Sequence, residues 1–94
     1  MATKETILRA GLTAARKHGL YTMIRRQVAK VAKVSPALVS HYFGDMAELR
    51  TAIIKESIKR AQYLDVLAEA LGRRDYHAMR APADVKREAL KTLA

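Results

Sequence analysis

Two pairs of residues bracket a segment of the chain that has room for one short helix. Ser35-Pro36 opens it and Gly44-Asp45 closes it. Ser35 is a helix N-cap, and Pro36 takes the first helical position, where its missing N–H costs nothing. Gly44 is a helix stop. Asp45, with Glu48 three residues later, is the cap of the next helix. A third helix over Pro36–Phe43 therefore follows a second helix over Met23–Ala32, with Val34-Ser35 at the boundary. Val28, Ala29 and Ala32 face inward on the second helix. Ala29 is small and allows a close approach to the third. Val34 plugs the turn, and Val39 and Phe43, at i and i+4, anchor the third helix to a core. Two short helices joined in this way read as a helix-turn-helix.

The rest of the chain reads as helix too. A first helix spans Lys4–His18, capped by Thr3 and stopped by Gly19. Ile7, Leu8, Gly11, Leu12 and Ala15 form its apolar stripe, and Arg9, Thr13, Arg16 and Lys17 face away. Gly11 inside the stripe, at a helix penalty of about 1 kcal/mol, marks a close helix–helix approach. The fourth helix is expected to run from Asp45 to Leu71, some 40 Å at ~1.5 Å per residue. Its stripe is Ile54, Ile58, Ala61, Leu64, Ala68 and Leu71, with Gly72 as its end. Arg73–Ala81 reads as a polar connector. Pro82 opens a last helix with Val85, Ala89, Leu90 and Leu93 on one side. The fold class expected is all-α: a three-helix unit, a long helix and a short C-terminal helix. Residues 1–50 form the helix-turn-helix domain, and 51–94 a helical extension that is not an independent domain.

Ninety-four residues suffice for one small domain. No cysteine is present, which excludes disulfides and thiolate metal sites. No apolar run could span a membrane, and the N-terminus lacks the layout of a secretory signal. The expected compartment is the cytoplasm. Charge is the strongest fact of composition: 18 Lys and Arg against 9 acids, a net +9. Residues 1–50 hold 9 bases and 3 acids, residues 51–94 hold 9 and 6, so the balance is +6 against +3. A surface this basic suits a polyanion, and nucleic acid leads.

With Val39 and Phe43 inward, Pro36, Ala37, Leu38, Ser40 and His41 face outward and Tyr42 sits at the margin. A major groove accepts one helix of this size, N-terminus first. Ser40 and His41 read as donors to bases or phosphates, and Ala37 or Leu38 as contacts to a thymine methyl. Arg25, Arg26 and Lys30, joined by Lys33, read as phosphate clamps. Tyr42 reaches a phosphate through its hydroxyl or lies half in the core. Ser35 belongs to the same DNA-facing set.

Ile7-Leu8-Arg9-Ala10-Gly11-Leu12 followed by Gly19, Val28 to Ser35, and Ser40-His41-Tyr42-Phe43-Gly44-Asp45 with Leu49 resemble the DNA-binding domain of the tetracycline-repressor (TetR) family. The resemblance covers residues 4–55. It implies a helical, dimeric DNA-binding protein that represses transcription. Four positions depart from the family pattern. Lys33 stands where the turn usually has Gly, which implies a left-handed Lys33 or a different turn. Thr22 is displaced from the usual Thr near Ile24. Ala15 replaces a Phe. Met46 replaces a Lys that touches phosphate, and the backbone amides of the fourth helix are left for that contact. The family's large ligand-binding domain has no counterpart in the forty or so remaining residues. No small-molecule induction is expected, and a homodimer would use the Ile54–Leu71 stripe and the last helix.

The resulting expectation is a sequence-specific binder of double-stranded DNA, acting as a dimeric repressor without cofactor, metal, membrane or small-molecule ligand. The alternatives are a sequence-blind architectural or replication-linked DNA binder and a protein-binding adaptor or antitoxin. No enzyme is expected. Ser40 and His41 are neighbours on a helix and point about 100° apart. His18, His41 and His77 lack metal-ligand spacing.

Overall fold

The computed structural model of the chain describes residues 3–93, and every regular element among them is a helix. In order these are α1 (Lys4–His18), α2 (Arg25–Ala32), α3 (Pro36–Phe43), α4 (Met46–Arg60), α5 (Leu64–Gly72), α6 (Tyr76–Met79) and α7 (Ala83–Lys91). Helix α1 lies at the centre, with α2, α3, α4 and α5 all packed on it. The Thr3 hydroxyl caps it by accepting the Thr6 N–H at 3.2 Å. At its far end Gly19, with φ 92°, turns its N–H onto the Ala15 carbonyl at 2.8 Å. The close approach signalled by Gly11 is to α4: a Cβ there would lie 2.9 Å from Ile53 Cδ1. The packed stripe is wider than the sequence pattern suggested, because Ala10 and Ala14 are buried along with Ile7, Leu12 and Ala15.

Three boundaries differ from expectation. Helix α2 starts at Arg25, not Met23. The Met23 N–H bonds back to the Gly19 carbonyl at 2.9 Å in a turn, and Ile24 is extended. The supposed connector after Gly72 contains α6, nucleated by Asp75, whose Oδ1 accepts the N–H groups of His77 and Ala78 at 2.8 and 3.0 Å. The largest correction is the long fourth helix, which does not exist. Helix α4 ends at Arg60, Ala61 and Tyr63 take left-handed backbone (φ 49° and 56°), and the chain turns back as α5.

The hydrogen bonds that close these helices form without the glycine that would mark them in the sequence. Ala61 N–H reaches the Ile58 carbonyl and Gln62 N–H the Ser57 carbonyl, both at 3.2 Å. That pair of bonds is the Schellman closure of a helix, which usually places Gly at the left-handed position. The same pair closes α2 at Lys33 (φ 61°) and α5 at Arg74 (φ 54°). Gly72, expected to be a stop, is instead the last residue of α5.

Burial explains why the chain accepts the bend. Folding back places Val66, Leu67 and Leu71 against the core, each 9% exposed or less. Burying such side chains contributes roughly 1.5–3 kcal/mol apiece. Two left-handed residues cost about 1–2 kcal/mol each, so burial wins. Leu20 N–H then donates to both carboxylate oxygens of Glu69 at 3.0 Å, tying α5 to the α1–α2 turn. Helix α7 packs on α5, with Ala89 buried and Val85 half-buried. The six residues expected to form a dimer seam are thereby dispersed. Ile54, Ala68 and Leu71 are buried within the chain, Ile58 and Leu64 are half-buried, and Ala61 is exposed in the turn. No described helix is long and apolar enough to cross a membrane.

Candidate nucleic-acid interface

Helices α2 and α3 are joined by three residues, and each has a local reason for its place. Lys33 turns the chain out of α2 in left-handed backbone. Val34 packs half-buried against the core. Ser35 Oγ accepts the Leu38 N–H at 3.3 Å and caps α3, with Pro36 behind it. Val39 and Phe43 are buried, as their spacing demanded. Opposite them Pro36, Ala37 and His41 are exposed, with Lys33 and Ser35 at the same end. On α2, Arg26 and Lys30 are exposed and Arg25 is half-buried.

Three of the expected contact residues sit differently, and Tyr42 takes the half-buried place that was one of its two expected positions. The Ser40 hydroxyl is enclosed and has no hydrogen-bond partner, so Ser40 does not present it outward. Leu38 and Tyr42 are half-buried against the core. The His41 ring meets Tyr42 edge-on, with centroids 5.3 Å apart, and is the imidazole that α3 presents to solvent. Arg25 Nε is enclosed without a partner, unlike the exposed Arg26. The surface that α3 offers is therefore its N-terminal end plus His41.

The start of α4 carries negative charge. Asp45 Oδ1 accepts the Glu48 N–H at 2.8 Å, and the Glu48 carboxylate lies over Gly44. Met46 is half-buried against the core. Two carboxylates at this terminus satisfy one amide and repel a phosphate, so α4 lacks the anion seat that its free amides would have made.

After Glu5 and as far as the end of α3, the charges along the chain are of one sign. From Thr6 to Gly44 the sequence contains no Asp or Glu, but seven Lys and Arg. In the sequence pattern Lys17 lies on the outer face of the first helix, and neither it nor His18 carries a binding role. The structure brings both to Arg26, Gln27, Lys30 and Val31 around a cleft of about 460 Å³ between α1 and α2. The signal was present in a pair of basic residues immediately before the Gly19 stop.

Behind this face, the Tyr21 ring is clasped by Arg73 and Arg50, whose guanidinium carbons lie 4.5 and 5.6 Å from its centroid. The phenol oxygen is enclosed and unpartnered. Burial pushes the Tyr21 phenol up from its ordinary value; Asp75 and Glu69 push the same way, and Arg50 and Arg73 oppose. The clasp joins the α1–α2 turn to α4 and the α5–α6 turn. Among the described residues no three His, Asp or Glu side chains gather as a metal site.

Compared with protein-family models, curated proteins and solved structures, the chain matches none.

Proposed function

We propose that the chain binds double-stranded DNA through a helix-turn-helix of TetR-like arrangement and regulates transcription by occupying an operator. The observation that carries this reading is the short, capped α3 whose exposed end follows directly on Lys33, with Arg26 and Lys30 exposed on the preceding helix, within a 39-residue stretch free of acids. A helix of this size enters a major groove N-terminus first. Ser35 and His41 supply the polar contacts to base edges, Ala37 touches a thymine methyl, and the flanking bases take the phosphates.

A second reading has its own support. With the Ser40 hydroxyl enclosed, α3 presents few base-reading groups, while the bases around it are many. That ratio favours a binder that coats DNA with little sequence preference. Selection of bound sequences from a random duplex pool separates the two readings. A recovered consensus with half-site symmetry supports the regulator, and a featureless pool supports the coater. In the regulator, His41→Ala costs about 1–3 kcal/mol of affinity and relaxes preference at one position per half-site. A pool that shows no enrichment and no retention at low salt would leave the protein-binding adaptor as the reading.

Operator specificity calls for two copies, because one short helix reads too few bases. The dispersed Ile54–Leu71 stripe offers little to a partner. Among the described residues, the large apolar side chains exposed beyond α4 are Tyr76 and Met79 of α6, Leu90 of α7 and Leu93. The proposed homodimer joins through these. Sedimentation of the free protein and of its DNA complex tests it: Leu90→Glu should yield monomers, and a wild-type monomer in both states rejects it.

A further inference from the structure

We propose that the cleft between α1 and α2 is a phosphate-binding seat, and that it holds nucleic-acid backbone outside the stretch contacted by α3; this second clause rests on the DNA reading above. Lys17 and His18 stand on its α1 wall, and Arg26, Gln27, Lys30 and Val31 on its α2 wall. No described hydrogen bond or ion pair engages the four basic head groups.

A helix C-terminus ordinarily repels an anion through its unpaired carbonyls. Here two of them, on Ala15 and His18, are occupied. Gly19 N–H closes the Ala15 carbonyl at 2.8 Å, and the Thr22 hydroxyl donates to the His18 carbonyl. Glu69, the carboxylate near this corner, turns both oxygens onto Leu20 N–H. The cleft is thus left with four basic side chains and the Gln27 side-chain amide to meet an anion, while Val31 and the lysine stems present an apolar wall that suits a sugar ring. A backbone phosphate and a free polyphosphate share this chemistry.

Two measurements test the seat, and they are independent of each other. In the first, inorganic tripolyphosphate is titrated into the whole protein and followed by amide NMR shifts. Saturable shifts should centre on Lys17, His18, Gln27 and Val31, and Lys17→Gln/Lys30→Gln should remove them while Arg87→Gln on α7 leaves them unchanged. In the second, affinity is measured for a duplex that covers only the α3 site and for one extended by a helical turn, about 10 base pairs. The extended duplex should bind more tightly, with a steeper salt dependence. Lys17→Gln alone should flatten that slope by about one unit, and the affinity for the short duplex should persist. Shifts confined to the cleft with no binding to either duplex keep the seat, assign it a free phosphate ligand, and sink the DNA reading. Shifts centred elsewhere, or an extension gain and salt slope unchanged in Lys17→Gln, overturn the seat itself.

Discussion

Replacing Ala61 with glycine tests the bend that replaces the long fourth helix, because the two geometries predict opposite signs. Ala61 has φ 49° and ψ 40° and is exposed, so its methyl group contributes little burial. An L-residue in that conformation carries about 1–2 kcal/mol of strain that glycine lacks. Glycine gives back about 0.4–1 kcal/mol through the greater freedom of the unfolded chain. The net is a stabilisation of about 0.5–1 kcal/mol. For a domain of this size that raises Tm by about 3–6 °C. In the interior of a continuous helix, the same substitution would cost about 1 kcal/mol and lower Tm by a similar amount. Thermal unfolding followed by circular dichroism, with a urea titration at the same protein concentration, reads the sign. Ala61→Val provides the complementary arm, since a β-branched side chain is disfavoured at positive φ, and its midpoint should fall below wild type. A lowered midpoint in Ala61→Gly would refute the left-handed closure and with it the folding-back of α5.

Lys33→Gly relieves the same strain at the end of α2 and should raise Tm comparably; if the proposed DNA binding holds, it should also flatten the salt dependence by removing a proposed clamp, and a lower Tm argues against left-handed Lys33. Glu69→Ala removes the carboxylate that receives the buried Leu20 N–H and should destabilise by about 1–2 kcal/mol in a urea titration, since bonds to charged groups contribute more than neutral ones. Tyr21→Phe removes an enclosed, unpartnered hydroxyl and should be neutral or stabilising at pH 7, with no change in the fold's circular dichroism. Because burial raises the Tyr21 pKa in the folded chain, the stability linked to the neutral phenol is complete below the unfolded value of about 10 and is lost as pH rises through the folded value. The Phe variant should therefore lose less stability than wild type above that pH, and identical alkaline profiles would remove Tyr21 as the cause.

Local signals determined much of this protein without tertiary help. Thr3, Ser35 with Pro36, and Asp45 act on amides within their own first turn, so helices α1, α3 and α4 begin where those residues put them. Gly19 and Gly44 stop helices through their own backbone freedom. Val39 and Phe43 share one face of a short helix, so their inward placement follows from the 3.6-residue period alone. Gly11 announced a close approach but not its partner, because Ile53 lies forty-two residues away. What only the tertiary structure decided lies where local preference and burial disagree. Ala61 is a good helix former, and nothing beside it asks for a bend. The bend exists because Val66, Leu67 and Leu71 gain more against α1 and α4 than two left-handed residues cost. The outward set on α3 was decided in the same way: Ser40 reads as a polar surface residue, yet the packing around it encloses its hydroxyl. The cleft of Lys17, His18, Arg26 and Lys30 likewise joins residues from two helices, and sequence carries no measure of the angle at which the α1–α2 turn brings them together.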